Sequence, residues 1–240
     1  MFEFDPHTHS IASGHGSHAT ITDLAKKAAS IGLKSLGITD HAPETPGSSH
    51  LAYFRNLAYA PKKRCGIELL YGVELNILDK NGTVDLPDDI LANLDYAIIS
   101  MHSPNYESGS VEENTLAYVQ AMRHPHIKIV GHPEDVKFPI DFEALIIAAK
   151  YYGIAIEINN HSLSPLGYRG DVRENVQMIL NLCKKHNNPV VLSSDSHGIE
   201  HVGDFQYALE LIDKYDFPKE LILNYSYKNF IEFIEKTQDF

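Results

Sequence analysis

The sequence predicts an α/β fold in which a parallel sheet closes, or nearly closes, into a barrel. Short β-type runs alternate with amphipathic helical segments seven or eight times, which is typical of sheets built from strand–helix–strand units. Many of these runs are apolar nearly throughout, as strands buried on both faces are. The length of 240 residues suits one barrel, so residues 1–240 are expected to form a single domain.

Seven β-type runs predict the strands of this barrel, and an eighth run is weaker. The predicted strands are residues 2–4, 34–39, 69–75, 96–100, 127–131, 154–159 and 189–193, with the weaker run at 221–224. Residues 79–87 interrupt the alternation. Asn81-Gly82 in that stretch predicts a tight hairpin turn added to the barrel.

Capping residues predict where several helices begin and end. Ser110 and Glu113 form a capping box before the segment 114–122, and Thr22 is the expected cap of the segment 23–31. Gly32 is expected to end that first helix, and Asp141 and Gly153 are expected to begin and end a helix over 142–152. Amphipathic patterns predict four more helices, at 53–59, 172–187, 205–215 and 227–236.

Composition and charge exclude several classes of protein. The formal net charge is −12 and the pI is about 5.5, which argues against a surface for long nucleic acid or for an anionic membrane. No apolar run is long enough to span a bilayer, and the first residues do not form a signal peptide. Cys65 and Cys183 give no disulfide framework and are interpreted as small apolar residues. The expected location is therefore the cytoplasm.

Potential metal ligands stand at the carboxyl ends of most predicted strands. They are His7, His9, His41, Glu74, His102, His132, Asp195 and His197, and His15 follows in the loop after the first strand. A parallel barrel builds its active site from those strand ends, which meet at one rim. Residues that are far apart in the sequence are therefore expected to converge there.

The spacing and chemistry of these residues predict a site for several metal ions. In an extended segment residues i and i+2 point the same way, so His7 and His9 can bind one ion together, and Asp195 and His197 repeat the spacing. The nine candidates offer nitrogen and oxygen but no sulfur. Because one ion uses three or four protein ligands, nine are enough for two or three ions.

Five motifs follow one another along the chain: "PHTHS", "ITDH", "GVELNI", "HP" after "IKIVG", and "SSDSH". They resemble the motifs of the PHP (polymerase and histidinol phosphatase) superfamily, and the length is most similar to its short stand-alone metal-dependent phosphatases. The resemblance covers nearly the whole chain. It implies a distorted (β/α)7 barrel with a trinuclear metal centre.

The resemblance also implies how nine ligands are shared among three ions. One ion is bound by His7, His9, Glu74 and Asp195, a second by His15, His41 and His197, and a third by Glu74, His102 and His132, with Glu74 bridging. Imidazole-rich sites suit zinc and iron, and the carboxylates also suit manganese. Zinc is the favoured metal.

Four other residues are candidates for catalysis or substrate binding. Asp40 precedes a ligand and is either a proton-transfer group or, as the favoured interpretation, a partner that orients a histidine. His50 and His161 lie in loops at the rim, where they can contact substrate. Arg169 is a candidate to bind a phosphate.

The predicted activity is hydrolysis of a phosphate ester, most simply a monoester of a small metabolite, by a hydroxide that the metal ions activate. Two alternatives stay open at this point. The same site can serve a phosphodiesterase or nuclease, although no basic track suits a long nucleic acid. The chain can also be a metal-binding regulatory module without activity. The sequence indicates neither the oligomeric state nor the substrate.

Overall fold

The computed structural model describes residues 2–236, and its parallel strands follow one another around a barrel. The strands are β1 (Phe4–Asp5), β2 (Ser35–Ile38), β3 (Lys63–Arg64), β4 (Ile67–Tyr71), β5 (Val73–Asn76), β6 (Ala97–Ser100), β7 (Ile127–Val130), β8 (Ala155–Asn159) and β9 (Val190–Ser193). They form two sheets, ordered β1-β2-β4-β3 and β5-β6-β7-β8-β9. Only β3 is antiparallel to its neighbour among the described strand pairs.

The two sheets are joined where β4 passes into β5. The predicted strand 69–75 is split at Gly72, so that β4 pairs with β2 and β5 pairs with β6. A side chain at Gly72 would meet the carbonyl oxygen of Tyr96 at 2.7 Å, which explains why glycine stands at the break. Counted as one strand, β4 and β5 give a barrel of seven parallel strands. The predicted distorted (β/α)7 barrel is confirmed.

The first and last strands of the barrel meet through backbone contacts. Thr8 and Ser196 form an isolated parallel bridge, and the His9 N–H donates to the Ser196 carbonyl at 2.8 Å. The buried carboxylate of Asp5 accepts hydrogen bonds from the Ser194 N–H at 3.2 Å and from its hydroxyl at 2.5 Å. These contacts bring the start of the chain beside residues 194–196.

Helices cover the outside of the sheet. They are α1 (Ile21–Ser30), α2 (Leu51–Leu57), α3 (Asp88–Leu91), α4 (Val111–Ala121), α5 (Phe142–Tyr152), α6 (Asn160–Leu163), α7 (Arg173–His186), α8 (Gln206–Lys214) and α9 (Tyr227–Glu235), with short 3-10 turns at Ile11–Ser13, Lys219–Leu221 and Leu223–Tyr225. The larger apolar cluster packs between these helices and the strands, which accounts for strands that are apolar on both faces.

A smaller apolar cluster fills the end of the barrel opposite the carboxyl ends of the strands. Its buried members come from most of the barrel strands and from α9: Phe4, Leu70, Tyr96, Ile98, Ile129, Ala155, Val191, Phe230 and Ile234. Phe230 and Ile234 are four residues apart and so share one face of α9. Helix α9 therefore covers the end of the barrel opposite the carboxyl ends of the strands.

Most predicted helix ends are confirmed. The capping box of Ser110 and Glu113 is present, Asp141 caps α5, and Gly153 takes the left-handed conformation after it. The prediction for α1 is wrong at its start: Thr20, not Thr22, is the N-cap, in a capping box with Asp23.

Two further predictions are corrected by the structure, and one is confirmed. The weak run 221–224 is no strand; it lies across two 3-10 turns, with a single bridge between Val190 and Ile222. Both cysteines were interpreted as small apolar residues. Cys183 is buried, in agreement with that interpretation, whereas Cys65 is exposed and does not fit it. The hairpin turn is confirmed: the Leu78 N–H donates to the Thr83 carbonyl at 2.8 Å.

Candidate metal centre

The candidate ligands converge at the rim formed by the carboxyl ends of the strands. His7 and His9 follow β1, His41 follows β2, Glu74 lies on β5, His102 follows β6, His132 follows β7, and Asp195 and His197 follow β9. The ring centroid of His9 lies 4.3 Å from that of His41 and 4.2 Å from that of His197. His15 also reaches this cluster, with its ring centroid 4.5 Å from that of His41.

Glu74 stands at the middle of the cluster and is almost fully buried. Its Oε1 lies 2.8 Å from Nε2 of His132 and 3.2 Å from Nε2 of His102. Its Oε2 faces the other side, 2.8 Å from Nδ1 of His41 and 3.4 Å from Nε2 of His7. The two oxygens therefore face two different groups of imidazoles, which is the geometry that a bridging carboxylate needs.

Three sets of side chains place their ligand atoms within 4.8 Å of one another. These sets are His9 with His41 and His197, His7 with His9 and Asp195, and His41 with Glu74 and His102. The sets share members, so ions bound in them would be neighbours. Overlapping sets of nitrogen and oxygen ligands suit divalent transition metals.

The charges in the cluster also favour cations. Burial alone would lower the pKa of His7, but the carboxylates of Glu157, Glu74 and Asp195 outweigh it and raise that pKa well above its ordinary value. Burial opposes ionisation of Glu74, yet the surrounding imidazoles hold its pKa well below the usual range. The carboxylates in the cluster are therefore ionised, and they stabilise positive charge there.

Several polar atoms of the cluster are buried without a hydrogen bond in the described part of the chain. Nε2 of His41, Nε2 of His102, Nε2 of His197 and Oε2 of Glu74 accept or donate no hydrogen bond there. Buried polar groups are almost always satisfied, and each exception needs an explanation. Lone pairs that point together into one cluster fit bound metal ions.

Glu157 is a site residue that sequence reasoning missed as a partner of the ligands. It is fully buried on β8, where Oε1 accepts from Nδ1 of His7 at 2.6 Å and Oε2 accepts from the backbone N–H of His132 at 2.6 Å. A bond to Nδ1 leaves Nε2 of His7 free to bind a metal. The signal was an acidic residue inside the apolar run "IAIEIN", since a buried carboxylate requires partners.

Asp40 lies one contact away from the ligands. Its carboxylate accepts hydrogen bonds from the Ser10 N–H at 2.6 Å, from the Ser13 hydroxyl at 2.7 Å and from the hydroxyl of Tyr53. The same Ser13 oxygen lies 2.9 Å from Nδ1 of His9. The structure thus places Asp40 where it orients the loop and, through Ser13, one ligand.

Arg169 is almost fully buried, and its guanidinium contacts a candidate ligand. Its Nη2 donates to Oδ2 of Asp195 at 3.1 Å and its Nη1 donates to the Ser162 hydroxyl at 3.0 Å. Asn159 donates to the same oxygen of Asp195 at 3.1 Å. Oδ1 of Asp195, 3.2 Å from Nε2 of His9, therefore stays directed at the cluster.

Two cavities open beside the cluster. One of about 330 Å³ is lined by His41, His102 and Arg169, and another of about 480 Å³ by His161, Asp195 and His197. His161 lies on α6 rather than in a loop, and it lines the second cavity. His50 is exposed at the start of α2 and lines neither cavity.

Backbone strain is concentrated at the ligands. Asp195 has φ 51°, His132 has φ 27° and His15 has φ 20°, all in the left-handed region that most residues avoid. Such conformations cost on the order of 1–3 kcal/mol each and persist where the surrounding structure imposes them. These three candidate ligands are half of the six non-glycine residues with positive φ in the described part of the chain; the others are Cys65, Asn187 and Asp216.

Fold and site together define an α/β barrel enzyme with a histidine–carboxylate metal centre on its carboxyl-end rim. The PHP domain model matches residues 5–239. The chain belongs to the PHP domain family.

Relatives along the full length carry a shared name. A protein from Clostridium novyi named "Probable phosphatase" is 41% identical over 234 residues, which are 98% of this chain and 95% of the relative. One of the same name from Caldicellulosiruptor bescii is 40% identical over 235 residues, 98% of this chain and 96% of the relative. The chain is thus an enzyme of the metal-dependent phosphatase class.

Solved structures show the same fold at low sequence identity. Histidinol phosphate phosphatase from Lactococcus lactis, complexed with zinc, L-histidinol and phosphate, has a TM-score of 0.64 at 18% identity and covers 90% of this chain and 94% of its own. A chain from the crystal structures of YwqE from Bacillus subtilis and CpsB from Streptococcus pneumoniae, which are metal-dependent tyrosine phosphatases, has a TM-score of 0.57 at 18% identity. The match covers 91% of this chain and 89% of that chain.

No helix among residues 2–236 combines the length and the apolar character needed to cross a bilayer.

Proposed function

We propose that the enzyme is a phosphomonoesterase that hydrolyses a small phosphorylated metabolite at a centre of three divalent transition-metal ions. The observation that supports this most is the two-sided contact of Glu74, with two imidazoles on one oxygen and others on the second. The three overlapping sets of ligand atoms give positions for more than one ion, and their membership differs from the groups that the family resemblance implies: His41 lies with Glu74 and His102, and His15 and His132 are in none of the three. Zinc is the favoured metal because imidazoles dominate the donors.

The chain's own residues would hold the ions and the substrate in fixed places. The nine ligands would bind the metals, and Glu157, Ser13 and Arg169 would orient three of them through the contacts described above. When bound, divalent ions act as Lewis acids toward phosphate oxygens and lower the pKa of coordinated water. Arg169 adds a permanent positive charge at the cavity, which stabilises the charge of a bound phosphate.

The cavity sizes support a small substrate. Ligand pockets usually measure about 300–1,000 Å³, so a cavity of about 330 Å³ fits a compact leaving group. A net charge of −12 opposes binding of a long polyanion. The count of three ions and the cytoplasmic location stay predictions.

One experiment tests the proposal. Protein purified without chelator is analysed for metals and then assayed with p-nitrophenyl phosphate and with bis(p-nitrophenyl) phosphate. We expect about two to three ions per chain, faster cleavage of the monoester, and loss of activity with chelator. Equal or faster cleavage of the diester would favour a phosphodiesterase instead. No phosphorylated residue is expected during turnover, and trapping one would refute direct attack by water.

A further inference from the structure

The cavity of about 330 Å³ next to the ligands is lined by two charged residues that the metal centre does not use, Asp135 and Lys137. At its inner end lie His41 and His102, and its walls include the apolar surfaces of Pro46, Met101 and Pro104. Lys137 lines the same cavity, in the loop that follows β7. A leaving group attached to a phosphate at the metal centre would extend past these residues.

Lys137 belongs to the lysines without an acidic partner among the described residues, whereas six others have one. Lys34, Lys62, Lys80 and Lys185 each lie within 4.0 Å of a carboxylate, whereas the described residues give the Lys137 ammonium no carboxylate at that distance. Its backbone N–H donates to Oδ1 of Asp135 at 3.0 Å, which fixes the loop. A cation without a protein counter-ion in an acidic protein can bind an anion from solution.

Tyr168 connects this cation to the site. Nζ of Lys137 lies 5.0 Å from the centroid of the Tyr168 ring, and Cζ of Arg169 lies 4.9 Å from the same centroid. The charged groups of Lys137 and Arg169 both contact this ring and are therefore at most about 10 Å apart. Arg169 in turn contacts the ligand Asp195, so Lys137 and a residue that contacts the metal centre lie against the same aromatic ring.

We propose that the substrate is a small phosphomonoester whose leaving group carries a second anionic group, a carboxylate, and that Lys137 binds this carboxylate. The inference rests on the proposed phosphomonoesterase activity and names the substrate class of the same site. Asp135 also lines the cavity, with one oxygen engaged by the Lys137 N–H, so an ammonium on the same leaving group is compatible with the site.

Two pairs of esters that differ by a carboxylate test the proposal: 3-phosphoglycerate with glycerol 3-phosphate, and O-phosphoserine with O-phosphoethanolamine. For wild type we expect kcat/KM to favour the carboxylate member of at least one pair by about tenfold or more, which is about 1.4 kcal/mol. Lys137→Gln should bring that ratio close to one, mainly through KM, and Lys137→Arg should retain a preference.

Lys26→Gln is the matched control, because Lys26 is exposed on α1 and its loss changes the net charge equally. It should keep the wild-type ratio and the wild-type metal content. A wild type without preference, or a preference that survives in Lys137→Gln, overturns the inference while p-nitrophenyl phosphate is still hydrolysed. If that ester and all four others release no phosphate from metal-loaded protein, the proposed function fails and the inference falls with it.

Discussion

Replacing Glu157 by glutamine removes one charge from a fully buried position without changing its shape. The carboxylate accepts a hydrogen bond at each oxygen, from Nδ1 of His7 and from the backbone N–H of His132, both at 2.6 Å. An amide has only one accepting oxygen. In Glu157→Gln, one of these two donors must therefore face an NH₂ group, or His7 must change its tautomer and lose the free nitrogen that a metal needs.

The size of the effect follows from these contacts. Leaving one buried donor unsatisfied costs about 1–3 kcal/mol, and a change of about 1.4 kcal/mol is tenfold in an equilibrium constant. Loss of a partner that orients a metal ligand typically weakens metal binding about 10–100-fold. We therefore expect Glu157→Gln to weaken zinc binding by about that factor and to lower kcat/KM with it.

The assay is competition for zinc between the metal-free protein and a fluorescent chelator, followed by phosphatase rates at saturating zinc. Glu232→Gln is the control, since this glutamate lies on α9, is 58% exposed and pairs only with Lys228 among the described residues. Circular dichroism establishes that both variants fold. A zinc affinity and a kcat/KM within about twofold of wild type would refute the assignment of Glu157 as an orienting residue.

Two other predictions follow from the geometry. Glu74→Ala should disturb at least two metal positions, whereas His132→Ala should mainly weaken one; metals counted per chain distinguish them, and a full complement in Glu74→Ala would contradict the bridging role. Burial raises the pKa of the Cys183 thiol to about 12, whereas Cys65 is exposed, so a thiol reagent at pH 8 should label one cysteine in the folded protein and two after unfolding. Fast labelling of both thiols in the folded protein would show that the core around Cys183 opens.

The sequence was sufficient to predict the barrel and the convergence of the candidate ligands because both follow from local patterns. Alternating strands and helices require a parallel sheet, and a parallel sheet brings its strand ends to one rim. His7 and His102 could therefore be placed together without a structure. Helix ends were predicted where a capping side chain and its partner are near neighbours, as with Ser110 and Glu113.

What the sequence did not indicate depends on contacts between distant residues. The split of the third strand at Gly72 is caused by the close approach of Tyr96, whose position only the folded barrel determines. Arg169 was expected to bind a phosphate, and its bonds to Asp195 and Ser162 depend on how two loops pack. The role of Glu157 depends on its distance to His7, which lies 150 positions away.

The contact between the two ends of the barrel has a consequence for the protein during its synthesis. Asp5 and Ser194 are hydrogen-bonded across 189 positions of the chain, and the ligands His7 and Asp195 flank this contact. At about 5–20 residues per second, the ribosome needs roughly 10–40 s to make the residues between them. During that time the histidines of the first loop have left the ribosome without their carboxylate partner from β9. The complete set of candidate ligands forms only after nearly the whole chain has emerged, so under the proposed function full metal loading would follow translation, and bound ions would then hold the two ends of the barrel together.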